Sequence, residues 1–458
     1  METRKFDVII IGFGKGGKTL AADMGKRGYK VAMVERSNKM YGGTCINIGC
    51  IPTKTLVNQA KLAACGGDKT FEEQRDFYRR AISIKENVTS TLRGKNYDNL
   101  ANNPNITVFT GEASFVSADT VSVRTEAETF SLQAPQIFIN TGAETIIPSI
   151  KGVEGNRFVF TSTSMLELNE LPKRLLIVGG GYIGLEFASM FSSFGSQVTV
   201  LEGSDKLIAR EDSDVAEAVK ARLEKKGVSF YMNAKVQSIE QNEKEAIVTY
   251  QDAKTNEFVT FRAEAVLLAT GRRPATSSLN LAAAGIQTDN RGAIIVDEHL
   301  VTTNPSVRAL GDVKGGLQFT YVSLDDYRIV REDLFGEHTR TTSDRNPIVY
   351  SVFIDPPMAR IGLNEDEANA KGLKFLVKKL PVAAIPRAKT LSETDGFLKA
   401  LVEPDTQRIL GCTLFCPEAS EIINIVALVM KNNLPATVLR DFVFTHPSMS
   451  EALNDLFT

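Results

Sequence analysis

Two stretches of the chain carry one hydrophobic pattern. Residues 6–35 read FDVIIIGFGKGGKTLAADMGKRGYKVAMVE and residues 174–202 read RLLIVGGGYIGLEFASMFSSFGSQVTVLE. Each runs through an apolar strand, a glycine-rich turn, a helical stretch, a glycine, and a second apolar strand ending in an acid. The glycines fall at Gly12, Gly14 and Gly17 and again at Gly179, Gly181 and Gly184, with Glu35 and Glu202 at matching offsets. In such a unit the first glycine permits a tight turn, the second lets backbone approach a pyrophosphate, and the third brings helix close to strand. The helix N-terminus then favours the anion, and the acid can accept from ribose hydroxyls. One such fingerprint is a weak signal; two with matched strands, helices and acids are a strong one.

A second near-repeat follows. Residues 136–142 (QIFINTG) and 265–271 (AVLLATG) are apolar runs closing on Thr-Gly, which singles out Thr141, Gly142 and Gly271. Alternation over residues 106–123 and 228–250 predicts β-meanders. Residues 307–312 (VRALGD) read as one more buried strand, completing the first fold. The expected fold class is α/β, with two Rossmann-like dinucleotide-binding domains, the second inserted in the first. Residues 1–150 and 273–345 make the first domain and 151–272 the second. An α+β tail over 346–458 mixes strands (FLKALVEP, RILGCTLFC) with a helix (EIINIVALVMKNN).

Composition narrows the function classes. The 458 residues are 43% hydrophobic and 24% charged, ordinary for a globular protein. Lys plus Arg (53) nearly balances Asp plus Glu (55), so no electrostatic footprint for nucleic acid or an anionic membrane is present. No apolar run approaches the ~20 residues that span a bilayer. The N-terminus enters a strand without a signal-peptide pattern, and five cysteines make no secreted disulfide framework, so a cytoplasmic location is expected.

Cys45 and Cys50 stand in residues 42–54, GGTCINIGCIPTK. Five residues apart on a regular helix, their Cα atoms would be roughly 8–9 Å apart, beyond the ~7 Å a disulfide tolerates. A bridge therefore needs a distorted turn, which Gly49 and Pro52 make available; spacing alone leaves a redox pair and two reduced core thiols both open. Lys54 and a helix N-terminus favour thiolate, the reactive form. Of three histidines, His299 and His338 lie in polar surroundings and read as solvated surface residues. His446 reads either as a surface or capping group or as an acid–base group, with Glu451 fixing its tautomer if the chain turns at Pro447. Cys412 and Cys416, about 13 Å apart on a regular strand, read as core packing, and Cys65 as a helix-end thiol. No His or Cys cluster has metal-site spacing, so no metal is expected.

Residues 42–54, both glycine fingerprints, ATGRRP at 269–274, ALGD at 309–312 and HPSMSE at 446–451 together resemble the class I pyridine nucleotide-disulfide oxidoreductases. Finer segments, GGLQFTYVSLDDYRIV at 315–330 and LPVAAIPRA at 380–388, look most like the RclA-type flavoproteins of that family, which are linked to resistance against hypohalous oxidants. The resemblance implies FAD in the first fold, with Gly12, Gly14 and Gly17 at its pyrophosphate, Glu35 at the adenosine ribose and Asp312 at the ribityl chain. Gly43, Thr44, Lys54, Thr141, Gly142, Gly271 and Gly311 join the cofactor-binding positions. NADH or NADPH would sit in the second fold on Gly179, Gly181 and Gly184, with Glu202 at its ribose. Lys54 would pair with Glu186 beside the flavin. Cys50 would face the flavin, and Cys45 would be the interchange thiol that meets substrate, the two forming a redox disulfide. His446, held by Glu451, would act as acid–base group across a homodimer interface formed by the tail.

The implied activity is NAD(P)H-driven reduction of a small electrophilic oxidant, hypothiocyanous acid or a related reactive chlorine species, in oxidative-stress defence. Dihydrolipoamide dehydrogenase and copper(II) or mercuric reduction are the alternatives. The chain as given lacks the terminal cysteine pair of mercuric reductases, which disfavours mercury. Glu202 is followed by Gly203, Ser204 and Asp205 rather than by an arginine, so repulsion of a 2′-phosphate predicts NADH over NADPH, softened by Lys206 and Arg210.

Overall fold

The computed structural model describes residues 2–65, 67 and 69–458. The chain divides into two compact units. The first comprises the stretch through Leu56, then Ile82–Ile147 and Gly271–Arg345; the second comprises Val57–Ala81, Pro148–Thr270 and Asn346–Thr458.

In the first unit a five-stranded parallel sheet has the spatial order Val307–Ala309, Gln136–Ile139, Val8–Ile11, Val31–Glu35, Ile106–Thr110. Its inner strands are continuous apolar runs, as a sheet covered on both faces requires; Val8, Ile9, Ile10, Ile137 and Phe138 are wholly buried. Helix α1 (Lys15–Lys26) crosses between the first two strands in sequence. Helices α2 (Gly43–Asn47), α3 (Cys50–Ala64) and α4 (Phe71–Ala101) follow, α3 and α4 each contributing residues to both units. Val307–Ala309 does complete this sheet, pairing parallel with Gln136–Ile139.

The second unit repeats the plan. Its parallel sheet runs Val159–Thr161, Ala265–Leu268, Arg174–Val178, Gln197–Leu201, Ser229–Tyr231, and helix α5 (Tyr182–Phe194) crosses after the glycine turn. The strand that completes it, Val159–Thr161, precedes its fingerprint. A separate five-stranded antiparallel sheet over residues 349–415, with helix Ala419–Lys431 packed on it, forms the tail.

The two meanders are shorter than alternation predicted. Ile106–Thr110 pairs parallel with Val31–Glu35, and Ser229–Tyr231 pairs parallel with Gln197–Leu201, so both belong to the Rossmann-like sheets. The antiparallel parts begin at Glu112 and Ala234. A half-buried edge strand alternates whether its neighbour is parallel or antiparallel, so periodicity cannot assign it.

Candidate active site

The first glycine loop is closed from behind by a single side chain. The strand Val8–Ile11 ends at Gly12, whose φ of +97° suits glycine alone. A Cβ there would meet the Asn140 carbonyl oxygen at 2.4 Å, and one on Gly14 would meet Asn140 Oδ1 at 2.3 Å. Asn140 Oδ1 accepts from the Gly17 N–H at 2.9 Å, while its Nδ2 donates to the Leu310 carbonyl at 2.6 Å. Gly16 N–H donates to Ser323 Oγ at 3.0 Å. Glu35, buried, accepts from Phe13 N–H at 3.0 Å and from Ser37 N–H at 3.3 Å; burial pushes its carboxyl up against those donors.

The surrounding residues fit a dinucleotide. No acidic residue stands in the first turn of α1, so its N-terminus keeps an uncompensated positive end. Gly43 packs so closely on the loop that a Cβ would lie 2.7 Å from Gly14 Cα, and Thr44 Oγ1 would lie 3.7 Å from one on Gly142. Thr141 Oγ1 donates to the Ala275 carbonyl at 2.8 Å, and the Gly271 carbonyl accepts from Ile146 N–H at 3.0 Å. Gly311 takes φ +73° and its N–H reaches Asp326 at 2.7 Å. Beside it burial pushes the Asp312 carboxyl up, against the opposing charges of Arg272 and Lys314. A buried carboxyl poised this way suits hydroxyl partners of the ribityl kind.

The sulfur pair occupies a break between two helices. Gly42, at φ +97°, starts α2. Asn47 ties the helix down: its Nδ2 donates to the carbonyls of Tyr41 (3.0 Å) and Gly43 (2.9 Å), and its Oδ1 accepts from Arg93 Nε at 2.9 Å. After Ile48 the helix is interrupted at Gly49, where a Cβ would be 3.0 Å from the Thr44 carbonyl oxygen, and α3 opens at Cys50. The two cysteines therefore lie on separate helices and not on the one regular helix that would hold them too far apart.

Cys45 and Cys50 are not bridged, and each shifts the other's titration. The Cys45 sulfur, a contact with Thr320 Oγ1 at 3.4 Å and the charge of Lys54 pull Cys50 down to about 6. The Cys50 sulfur and burial push Cys45 up.

In the second unit the glycine loop has the same backbone with less behind it. Gly179 takes φ +111°, and a Cβ on Gly184 would stand 2.1 Å from its carbonyl oxygen, whereas one on Gly181 would meet nothing within 4 Å. Glu202 accepts from Gly180 N–H at 2.6 Å and from Ser204 N–H and Oγ, each at 2.8 Å. Lys206 Nζ is turned to the Glu211 carbonyl at 2.8 Å. Glu186 accepts from Phe353 N–H at 2.8 Å. His446 Nδ1 lies 2.8 Å from Glu451 Oε2, with the imidazole 71% exposed. The first unit thus gathers both cysteines, Lys54 and the first glycine set; the second gathers Glu186, Glu202, the second glycine set and the His446–Glu451 pair.

Comparison with known proteins decides the family. Residues 6–326 match the pyridine nucleotide-disulphide oxidoreductase family, and residues 348–457 match its dimerisation domain. The chain belongs to the pyridine nucleotide-disulphide oxidoreductases. It is 49% identical over 454 residues to the probable pyridine nucleotide-disulfide oxidoreductase RclA of Escherichia coli (strain K12), covering 99% of each chain. It is 34% identical to a dihydrolipoyl dehydrogenase of Geobacillus stearothermophilus, covering 97% of this chain and 94% of that one. A solved Cu(II) complex of the HOCl-induced flavoprotein disulfide reductase RclA from Escherichia coli superposes with a TM-score of 0.93 at 49% identity, covering 99% of each chain. Membership makes this chain an FAD-dependent oxidoreductase that uses a pyridine nucleotide.

Several residues of this oxidoreductase escaped the sequence reading. Asn140 stands as a polar residue at the end of an apolar strand, where the second copy has Ala269; that contrast was the available signal. Ser323 and Thr320 come from a distant helix, Thr320–Phe335, and carry no local signal. His299 is a correction. Its side chain is only 25% exposed, with Nδ1 3.5 Å from Asp333, a carboxylate it shares with His338 (3.1 Å) and Arg308. The strand and helix around Asp333 enclose it, which composition could not reveal. Asp212, Asp214 and Glu365 could hold a cation by spacing, but Lys399 Nζ occupies their centre, 2.8 Å from Asp212 and 2.9 Å from Asp214. Among the described residues no helix is long and apolar enough to cross a membrane.

Proposed function

We propose that this oxidoreductase uses NADH to reduce hypothiocyanous acid or a related reactive chlorine species, with Cys45 and Cys50 as the redox pair. The observation that carries the reading is the pair of sulfurs that shift each other's titration, on a segment whose Gly43 packs against Gly14 of the first glycine loop. FAD, when bound, supplies the two-electron relay between the pyridine nucleotide and the sulfurs. Gly12, Gly14, Gly17, Gly43, Thr44, Glu35, Thr141, Gly142, Gly271, Gly311 and Asp312 would hold it, with Lys54 among the positions beside it.

With the pair reduced, the Cys45 thiolate attacks the oxidant's sulfur. A sulfur–sulfur bond forms, the sulfur–oxygen bond breaks, and the oxygen leaves as water after taking up a proton. Cys50 then attacks the Cys45 sulfur and expels thiocyanate, closing the disulfide. Dithiol and hypothiocyanous acid thus give disulfide, thiocyanate, water and one proton. A resolving thiol this near also limits overoxidation. His446, oriented by Glu451, takes the Cys45 proton from across a homodimer interface. Exposed Leu428, Phe442 and Val443 in the dimerisation domain support that assembly.

NADH is favoured because the Glu202 carboxylate would repel a 2′-phosphate and Lys206 is turned to the Glu211 carbonyl. Five cysteines in 458 residues make no secreted disulfide framework, which suits a cytoplasmic setting. Steady-state NADH consumption with hypothiocyanous acid tests the reading: turnover should exceed that with oxygen and collapse in Cys45→Ser. Turnover equal to the oxygen rate, or indifferent to that substitution, rejects it, and lipoamide turnover in the same assay would move the assignment to dihydrolipoamide dehydrogenase. The Cu(II) complex of the RclA relative favours a second reading, in which the dithiol gives one electron to each of two copper(II) ions. A cuprous chelator developing colour with NADH tests it.

A further inference from the structure

The helix Thr320–Phe335 buries a polar face that includes Ser323, Asp325 and Asp326. Asp326, near its middle, is wholly buried. Neither helix formation nor packing calls for an aspartate there, because Asp is a poor helix former and a buried carboxylate is costly unless fully paired. Both of its oxygens are engaged. Oδ2 accepts from the Gly311 N–H at 2.7 Å and lies 3.5 Å from Lys314 Nζ, while Oδ1 accepts from Arg345 Nη2 at 2.7 Å. Arg345 Nε also lies 3.0 Å from Asp325 Oδ2, and Arg340 pairs with that same carboxylate. The polar segment 336–345 thus folds back on the helix through two arginines.

The inward face of this helix meets the segments that surround the first glycine loop. Ser323, one turn before Asp326, accepts from the Gly16 N–H, and the Tyr327 hydroxyl donates to Asp23 of α1 at 3.2 Å. Gly311 opens the short turn Gly311–Lys314, in which Asp312 stands. A Cβ on Gly311 would meet Asn140 Nδ2 at 2.8 Å and Ser323 Oγ at 2.9 Å. The bond from Gly311 N–H to Asp326 fixes the peptide that leads into Asp312, and Lys314 at the far end of the turn is drawn to the same carboxylate. One side chain therefore holds the turn at both ends.

We propose that Asp326 is a positioning residue for the flavin: pinned by Arg345, it grips both ends of the Gly311–Lys314 turn and so presents Asp312 to the ribityl chain. The inference rests on the reading of Asp312 as the ribityl residue. Arg345, outside every nucleotide motif, thereby contributes to cofactor retention.

The test is the rate at which FAD leaves the diluted holoenzyme, measured as flavin recovered by ultrafiltration, over a double-mutant cycle. Asp312→Asn should speed release by roughly tenfold or more. Asp326→Asn, which keeps the shape and removes the charge that holds Lys314 and Arg345, should speed it roughly tenfold. Because Asp326 acts through Asp312, the double variant should release FAD no faster than Asp312→Asn. General loosening of the fold would instead multiply the two factors, and that result overturns the positioning role. Wild-type release from Asp326→Asn beside fast release from Asp312→Asn also overturns it, and leaves the reading of Asp312 standing. Wild-type release from Asp312→Asn overturns that reading and this inference with it. Where Asp326→Asn does not fold, Arg345→Met takes its place in the cycle. It should release FAD about threefold faster alone and add nothing to Asp312→Asn; an unchanged rate or multiplied factors overturn the role of Asp326 in the same way.

Discussion

The two glycine loops of this protein follow the same backbone path, yet different atoms stand behind them. Behind the first, Asn140 joins the Gly17 N–H to the Leu310 carbonyl, and Ser323 holds the Gly16 N–H. Behind the second, Ala269 takes the place of Asn140 and Gly181 opens onto free space. Each neutral hydrogen bond adds about 1 kcal/mol net, so the first loop is held rigid by contacts independent of any ligand. A rigid cradle suits a resident cofactor, and an open one suits a cosubstrate that must enter and leave at every turnover. On the proposed reading, similar fingerprints serve retention and exchange, and the structural difference lies in the residue behind the turn.

The comparison breaks most visibly at its locked end. Asn140→Ala leaves the buried Gly17 N–H and Leu310 carbonyl unpaired, at about 1–3 kcal/mol for each group. Purified protein should carry little flavin and melt at lower temperature, as should Gly14→Ala; full flavin occupancy in both would refute the locked cradle. The units should also differ in pH response. Cys50, held down to about 6, keeps its charge above that pH and takes up a proton as pH falls through it. The oxidant step should therefore weaken by up to about tenfold per pH unit below 6, while KM for NADH stays flat across the same range. Rapid-mixing assays with each substrate varied would expose a shared pH dependence if the distinction is mistaken.

At the open end the effects are smaller. Gly181→Ala meets no steric obstacle, so flavin content and stability should hold while KM for NADH rises about tenfold, because a methyl would stand where, on the proposed reading, backbone approaches the pyrophosphate. Glu202→Gln keeps an acceptor for the Gly180 N–H and removes the charge. It should shift the NADPH-to-NADH ratio of kcat/KM toward NADPH by roughly fivefold. An unchanged ratio would assign coenzyme choice elsewhere.

Much of this organisation was legible along the chain because backbone demands write themselves into glycine spacing and apolar runs. The strands flanking Gly12 and Gly179 and the insertion completed by Val307–Ala309 followed from such local rules, and Gly49 marked the place where the helix is interrupted. What stayed hidden depends on distant partners. Thr320 reaches Cys50 from a helix hundreds of residues away in sequence, and Asp333 gathers His299 and His338. The edge strands Ile106–Thr110 and Ser229–Tyr231 were misassigned to meanders because alternation reports a half-buried face and not the direction of the neighbour.

Counting thiols before and after anaerobic reduction by NADH tests the central claim most directly. The account predicts that the flavin-loaded enzyme, oxidised as isolated, gains two titratable thiols on reduction, and that Cys45→Ser and Cys50→Ser variants gain none. An equal count in both states of the wild type, with the flavin fully reduced, would contradict it.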